Sequence, residues 1–404
     1  MPVSTHPCVG ATDVATAPRG AVDTTPRRSD TFGPLSIAML STYPPTQCGL
    51  ATFSAALREQ LIRSTGSVGV VRVVDHVETH PGPEVVAHLV NGSSESAGRA
   101  VQHLNSFDAV VVQHEYGIYG GPDGCDVVDI VEALTVPKIV VFHTVLQDPT
   151  ARQRRILERL LGCADVVVTM TETARRRLLD SYGADPSQVT MIPHGAIDHG
   201  PIGTRRRTTG RPLILTWGLL GPGKGIEWAI DAMAGLRDLQ PRYLVIGKTH
   251  PKVLERSAED YRNSLLRRAE LRGVSDLVEL DDSYLAVDEL ARLVAKADVV
   301  LLPYDSREQV TSGVLIEAVA AGCPVVSTAF PHAIELLSDG PGLVVPQRDP
   351  MALQQALRRV LSEPGLSDAM AAHAAHKAPG LLWGAVAGQY RQIAEALVAT
   401  ASYA

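Results

Sequence analysis

From residue 35 onward, short runs of β-branched and aliphatic residues alternate with longer stretches whose apolar positions recur every three or four residues. The first series of short runs is SIAML (36–40), VGVVRVV (68–74), EVVAHLV (84–90), DAVVVQH (108–114), KIVVFHT (138–144), DVVVTM (165–170) and VTMIPH (189–194). Helical patterns such as TARQRRILERLLGCA and TETARRRLLDSYG lie between most of them. Strands this uniformly apolar suit a sheet covered on both faces, and helical crossovers make such a sheet parallel.

A basic, glycine-bearing stretch, GTRRRTTGRP (203–212), interrupts the alternation, which then restarts. The second series is LILTWG (213–218), RYLVIG (242–247), LVELD (277–281), DVVLLP (298–303), CPVVST (323–328) and GLVVP (342–346), with helices expected near 225–238, 252–272, 287–296, 313–321, 331–337 and 350–362. The pattern predicts an α/β chain with two doubly wound, Rossmann-like parallel-sheet domains in series. The expected boundaries are a disordered leader over 1–34, an N-terminal domain over 35–198 and a linker over 199–211. A C-terminal domain follows over 212–365, and helices over 366–404 are expected to pack back on the N-terminal domain.

A formal net charge of −7 argues against a general nucleic-acid binder, which carries a net basic face. No apolar run approaches the ~20 residues that span a bilayer, and the N-terminus has no apolar signal core, so a cytoplasmic protein is expected. Five widely spaced cysteines without a C-x-x-C pair read as reduced thiols rather than a zinc site. Basic helices at 152–160 and 174–179 leave a peripheral membrane contact open beside the plainer reading of a solvated helix face.

In open α/β sheets, ligands bind beyond the carboxyl ends of the strands. The loops to inspect are therefore 41–50, 114–124 and 143–148 in the first domain, and 218–225, 248–251, 304–313 and 329–333 in the second. The first loop, STYPPTQCG, is long and proline-stiffened and ends with Gly49 at a helix start. A glycine there lets backbone N–H groups approach an anion in the positive field of the helix N-terminus. GLLGPGKGIE (218–227) repeats the device with Gly218, Gly223 and Lys224 before a helix. It is not a nucleotide-binding Walker loop, because no Ser or Thr follows the lysine.

The ordered set STYPPTQCGLATF (41–53), GKGIE (223–227), IGKTHPKV (246–253), PY (303–304), QVTSGVLIEA (309–318), GCPVVST (322–328) and AIELL (333–337) spans about 300 residues. With these motifs the chain resembles the GT-B fold glycosyltransferases of family 4, in a bacterial branch. The resemblance implies two domains facing across a cleft. It implies transfer of a hexosyl group from a nucleoside diphosphate sugar, with retention of configuration, to a sugar or glycolipid acceptor. It implies no metal and no cofactor beyond the nucleotide-sugar co-substrate. GDP-mannose and UDP- or ADP-glucose remain open as donors.

Residue by residue, the resemblance implies that Gly49 and Lys224 meet the donor phosphates. Leu219 stands where the family usually has an arginine, so Lys248 or His250 is expected to compensate. Gln309 and Glu317 occupy the family's paired-glutamate positions, Gln309 toward the sugar and Glu317 toward the ribose. Thr311, Ser312 and Gly313 offer backbone N–H groups between them. His114 is expected beside the reacting sugar, giving His114, Lys224 and Gln309 as catalytic candidates. Gln47, Tyr116, Tyr119 and His143 are expected to line the acceptor side of the cleft, and His194 is read as structural. The competing readings are a nucleotide-sugar epimerase of the same fold and a catalytically weak nucleotide-sugar-binding protein.

Overall fold

The computed structural model describes residues 34–77, 82–200, 202 and 210–401. The expected leader, apart from residue 34, and most of the expected linker lie outside the described residues.

Among those residues the first sheet has seven strands: β1 (Ser36–Ser41), β2 (Ser67–Val74), β3 (Val85–Val90), β4 (Ala109–His114), β5 (Lys138–Phe142), β6 (Val166–Thr169) and β7 (Val189–Met191). Their order is β3-β2-β1-β4-β5-β6-β7, and every pairing is parallel. Helices α1 (Gly49–Leu61), α2 (Ser94–Leu104), α3 (Asp126–Glu132), α4 (Ala151–Cys163) and α5 (Glu172–Tyr182) form the crossovers.

The second sheet has β8 (Leu213–Trp217), β9 (Arg242–Ile246), β10 (Val278–Asp281), β11 (Val299–Leu302), β12 (Val325–Thr328) and β13 (Gly342–Val345), in the order β10-β9-β8-β11-β12-β13, again parallel. Its helices are α6 (Ile226–Met233), α7 (Pro251–Ser257), α8 (Asp260–Leu271), α9 (Val287–Lys296), α10 (Gly313–Ala320), α11 (Pro331–Leu337) and α12 (Pro350–Ser362), followed by α13 (Leu366–Leu381) and α14 (Trp383–Ala401). Each apolar run of the sequence thus becomes one strand.

The period of two along each strand sends alternate residues into separate cores. Ala38 and Leu40 of β1 pack with Val110, Val112 and Phe142 on one face, while Ile37 and Met39 pack with Val111 and Val141 on the other. Each of these side chains is sealed from solvent, which stabilises the fold by roughly 1.5–3 kcal/mol for a fully buried large aliphatic residue.

The two C-terminal helices part company. α13 packs in the second unit, where Ala374 and Leu381 join the core of β8, β11 and α10. After Leu382 the chain turns, and α14 lays Trp383, Val386, Tyr390 and Ala394 against α1 and the first sheet. Only α14 therefore packs back on the N-terminal side. The sequence treats 366–404 as one block because its helical pattern carries no strand or linker signal at the crossing.

Candidate functional site

Both sheets reverse their order at one point, β1/β4 in the first and β8/β11 in the second. A crevice opens where neighbouring crossovers leave in opposite directions, and ligands bind there. The loops that flank the crevices are those after β1, β4, β8 and β11. They carry Gln47 to Gly49, Glu115 to Tyr119, Gly218 to Gly225 and Pro303 to Gly313.

Gly49 is the first residue of α1, and Cys48 caps the helix through its Sγ, which accepts from Ala51 N at 3.4 Å. A Cβ placed on Gly49 would meet nothing within 4 Å. The fold itself makes no demand for glycine here, and the space above this exposed helix end is empty of protein.

Across from it, the turn after β8 is fixed to the loop after β11. Asp305 N donates to Gly223 O at 2.9 Å, and Gly225 has φ +65° with its missing Cβ only 1.8 Å from Pro303 O. No other residue fits at 225. This turn holds Lys224, whose Nζ lies 4.4 Å from the centroid of the Tyr304 ring. The ring offers the ammonium a weak cation–π contact, and among the described residues no carboxylate pairs with it.

Two more lysines reach the same edge. Lys248 Nζ donates to Gln47 Oε1 at 3.0 Å, and Lys252 Nζ donates to Gly117 O at 2.9 Å. Neither forms an ion pair among the described residues. His250 caps α7, its Nδ1 accepting from Lys252 N at 3.2 Å. Burial and then the charges of Lys252 and Lys224 push its pKa down. The Glu115 carboxyl hydrogen-bonds Thr144, and burial pushes its pKa up against the pull of that bond and of Lys252.

The loop after β11 turns into α10. Ser312 caps the helix, accepting from Leu315 N at 3.3 Å, and donates its own N–H to His332 Nδ1 at 2.8 Å. The Oγ1 of Thr311 is buried with no partner. The Gln309 amide folds back to donate to Thr311 O. Glu317 Oε2 accepts from Ile197 N at 3.4 Å and lies 3.7 Å from His199 Nε2, so the segment joining the two sheets occupies one of its oxygens.

The histidines differ from expectation. His114 is fully buried; neither ring nitrogen has a partner, and burial pushes its pKa down to about 3. It shares the strand face of Val110 and Val112 and meets Tyr116 and Phe142 edge-on, at 5.0 and 5.3 Å between ring centroids. His143 is largely buried with a little exposure. Its Nε2 donates to Gln113 Oε1 at 2.7 Å, and burial followed by the nearby charges of His194 and His114 holds its pKa at about 3. A neutral ring with Nε2 protonated leaves Nδ1 as an acceptor.

Tyr119 is also outside the cleft. It is buried, and its hydroxyl donates to Gln113 O at 2.6 Å, bracing β4. Tyr116 is tied by its hydroxyl to Gln153 O at 3.3 Å. The structure thus gathers Gln47, Gly49, Gly218, Gly223, Lys224, Lys248 and His250 on one rim, and Gln309, Thr311, Ser312, Gly313 and Glu317 on the second-domain wall. Lys252 completes the cationic rim and was missed in sequence, although it sits in the same IGKTHPKV motif four residues after Lys248.

The basic helices resolve into ion pairs. Arg152 meets Asp123, Arg159 meets Asp129 and Glu132, and Arg175 and Arg176 meet Glu172. Among the described residues no helix is long and apolar enough to cross a membrane, and no group of three or more His, Cys, Asp or Glu side chains could hold a metal ion.

Comparison with known proteins places this geometry. Residues 52–198 match the model for Glycosyltransferase Family 4, and residues 211–363 match that for Glycosyl transferases group 1. A D-inositol 3-phosphate glycosyltransferase of Kineococcus radiotolerans is 32% identical over 255 residues, covering 57% of each chain. One of Geodermatophilus obscurus is 28% identical over 330 residues, covering 71% of this chain and 70% of that one. The chain spans only 57% and 52% of the first two curated relatives it matches.

Among solved structures, Anabaena HepE in complex with UDP and glucose aligns with a TM-score of 0.71 at 16% identity, over 90% of this chain and all of that one. Sucrose-phosphate synthase of Thermosynechococcus elongatus aligns at 0.70 and 20%, over 91% of this chain and all of that one. At such identities the likeness is one of fold. With two doubly wound sheets of the GT-B arrangement, each matched by its own glycosyltransferase model, the chain belongs to the group 1, family 4 glycosyltransferases.

Proposed function

We propose that the protein transfers a hexosyl group from a nucleoside diphosphate sugar to a hydroxyl acceptor, with retention of configuration and without a metal. The observation that carries this reading is the cationic rim. Among the described residues Lys224, Lys248 and Lys252 form no ion pair with a carboxylate, and the helix N-terminus at Gly49 is unobstructed. A diphosphate offers such cations the charge-assisted contacts that the protein does not supply.

In this reading Lys224 and the Gly49 helix end hold the leaving diphosphate. Lys248 supplies the cation that Leu219 does not. Glu317 accepts from the ribose hydroxyls once it leaves Ile197, and Gln309 meets the sugar. The bond from the sugar carbon to the phosphate oxygen breaks while the acceptor oxygen bonds the same face, and its proton passes to the leaving phosphate. His143, neutral and held by Gln113, accepts a hydrogen bond from a sugar hydroxyl. The names of the curated relatives point to a cyclitol phosphate as the acceptor to try.

The test is release of nucleoside diphosphate from UDP-glucose, ADP-glucose and GDP-mannose, in EDTA, with and without D-inositol 3-phosphate. Turnover of one donor in EDTA is expected. Turnover of none, or turnover only after a divalent metal is added, rejects the reading. Release of an altered sugar nucleotide without acceptor identifies an epimerase instead.

A further inference from the structure

A second set of contacts joins loops of the two sheets. The Arg177 side chain on α5, 12% exposed, sends Nη1 to Glu308 Oε2 at 2.8 Å and to Val145 O at 2.8 Å, and Nη2 to Arg307 O at 3.2 Å. The same Glu308 oxygen accepts from Gln147 N at 2.9 Å. Tyr182, one turn further along α5, donates its hydroxyl to Leu146 O at 2.8 Å. Three consecutive backbone residues after His143's strand, 145 to 147, are therefore held by α5 and by one glutamate from the other domain.

Glu308 immediately precedes Gln309. The loop that follows His143 and the loop that carries Gln309 are thus joined through a single, half-buried ion pair. We infer that Arg177 and Glu308 are a positioning pair that sets the Gln309 loop against the loop after His143. This rests on the proposed reading of those loops as donor- and acceptor-facing. A sugar carbon misplaced by an ångström loses reactivity while the nucleotide still binds. An arginine with three acceptors in a fixed fork holds such a register better than a lysine does.

A second clasp lies nearby. Glu335 of α11 accepts from Glu172 N at 2.8 Å, Thr173 N at 2.9 Å and Thr173 Oγ1 at 2.7 Å, at the N-terminus of α5. It keeps α5 and the second domain together when Arg177 is altered, so loss of the pair shifts two loops rather than separating the domains.

The experiment compares the full-length protein with Arg177→Ala, Arg177→Lys, Glu308→Gln and Arg177→Ala/Glu308→Gln. Arg159→Ala, whose ion pairs with Asp129 and Glu132 lie on the exposed outer surface, is the control. For whichever of UDP-glucose, ADP-glucose and GDP-mannose turns over, kcat is expected to fall about tenfold in Arg177→Ala and in Glu308→Gln. The double variant should fall about tenfold too, because coupled residues are not additive. Arg177→Lys should recover part of the loss. The dissociation constant of the matching nucleoside diphosphate should stay within twofold throughout.

Unchanged kcat in the single variants, a hundredfold loss in the double variant, or parallel loss of nucleotide binding and turnover each overturns the pair. If none of the three donors turns over, the functional reading has failed and amide hydrogen exchange decides the structural claim. Faster exchange at the Gln147 N–H, which donates to Glu308, in both single variants supports the pair, and unchanged exchange there overturns it.

Discussion

Replacing Gly49 with alanine should raise the stability of the empty protein and weaken its hold on a nucleoside diphosphate. The opposite signs follow from one geometric fact. The added Cβ meets no protein atom within 4 Å, and Gly49 is not among the residues with positive φ. Alanine therefore fits the native backbone without strain and reduces the freedom of the unfolded chain, which stabilises a compatible site by about 0.4–1 kcal/mol. In a chain of this size that raises the melting temperature by about 1–2 °C.

The same methyl group occupies the approach to the first free N–H groups of α1. A phosphate oxygen bonding those groups needs that volume, and a loss of about tenfold in affinity, or about 1.4 kcal/mol, is a modest expectation. Thermal denaturation with UDP, GDP or ADP reads both effects at once. A nucleotide supplied at 100 times its wild-type dissociation constant stabilises the native protein by about 2.7 kcal/mol, and after tenfold weakening by only about 1.4 kcal/mol. The ligand-induced shift should therefore roughly halve while the unliganded melting temperature rises. A full shift in the variant refutes the placement of the diphosphate at α1. A lower unliganded melting temperature refutes the claim that the fold has room for the methyl group.

Lys224→Ala should weaken nucleoside diphosphate binding by about 1.5–3 kcal/mol, the value of a charge-assisted contact. Nucleoside monophosphate binding should change less, and equal losses in calorimetry argue against a contact to the second phosphate. Glu317→Ala should weaken the free nucleoside diphosphate and the intact donor alike, whereas Gln309→Ala should spare the former; equal losses for both ligands in both variants reject that division. Acid should destabilise the protein through its buried histidines. His114, His143 and His332 are held near pKa 3 and His194 near 4 by burial, so below about pH 6.5 the unfolded chain binds protons that the native one refuses. Stability is then level above about pH 7 and falls as pH drops, by up to about 1.4 kcal/mol per pH unit for each histidine. His114→Leu, which removes two unpartnered buried nitrogens, should flatten the acid limb of melting temperature against pH, and an unchanged limb would contradict this.

The thirteen strands were legible because a parallel strand covered on both faces has little need of polar residues, so each appears as an unbroken apolar run. The switch-point loops were legible for the complementary reason: Gly49, Gly223 and Lys224 break that pattern at a strand's carboxyl end. The different settings of His114 and His143 were not, since both end a strand. What separates them is strand parity, which sends His114 in with Val112 and leaves His143 beside Gln113. Tyr119 reads as a cleft tyrosine for the same reason, until β4 claims its hydroxyl. Arg177 and Glu308 lie 131 positions apart on ordinary helix and loop segments, and no local pattern marks two residues whose meeting depends on the arrangement of two domains.

The segment joining the sheets fixes two helix starts on different domains relative to each other. The chain crosses twice, and the crossings pair with each other: Ala196 N donates to Leu381 O at 2.7 Å and Trp383 N to Ala196 O at 2.9 Å. Gly195 is required there, since a Cβ would lie 2.1 Å from the Trp383 indole. His194, just before it, donates from Nδ1 to Gly195 O at 2.7 Å and presents its other edge outward. That edge meets Gly313, the first residue of α10, where a Cβ would fall 2.7 Å from Nε2. The ring also stands edge-on to Phe53, one turn into α1 from Gly49, with centroids 5.0 Å apart. The helix start at Gly49 and the helix start at Gly313 are therefore both packed, through rigid aromatic and backbone contacts, on one histidine at the crossing. Close-packed contacts of this kind tolerate little sliding, so the two helix starts keep a fixed relation beside the crossing.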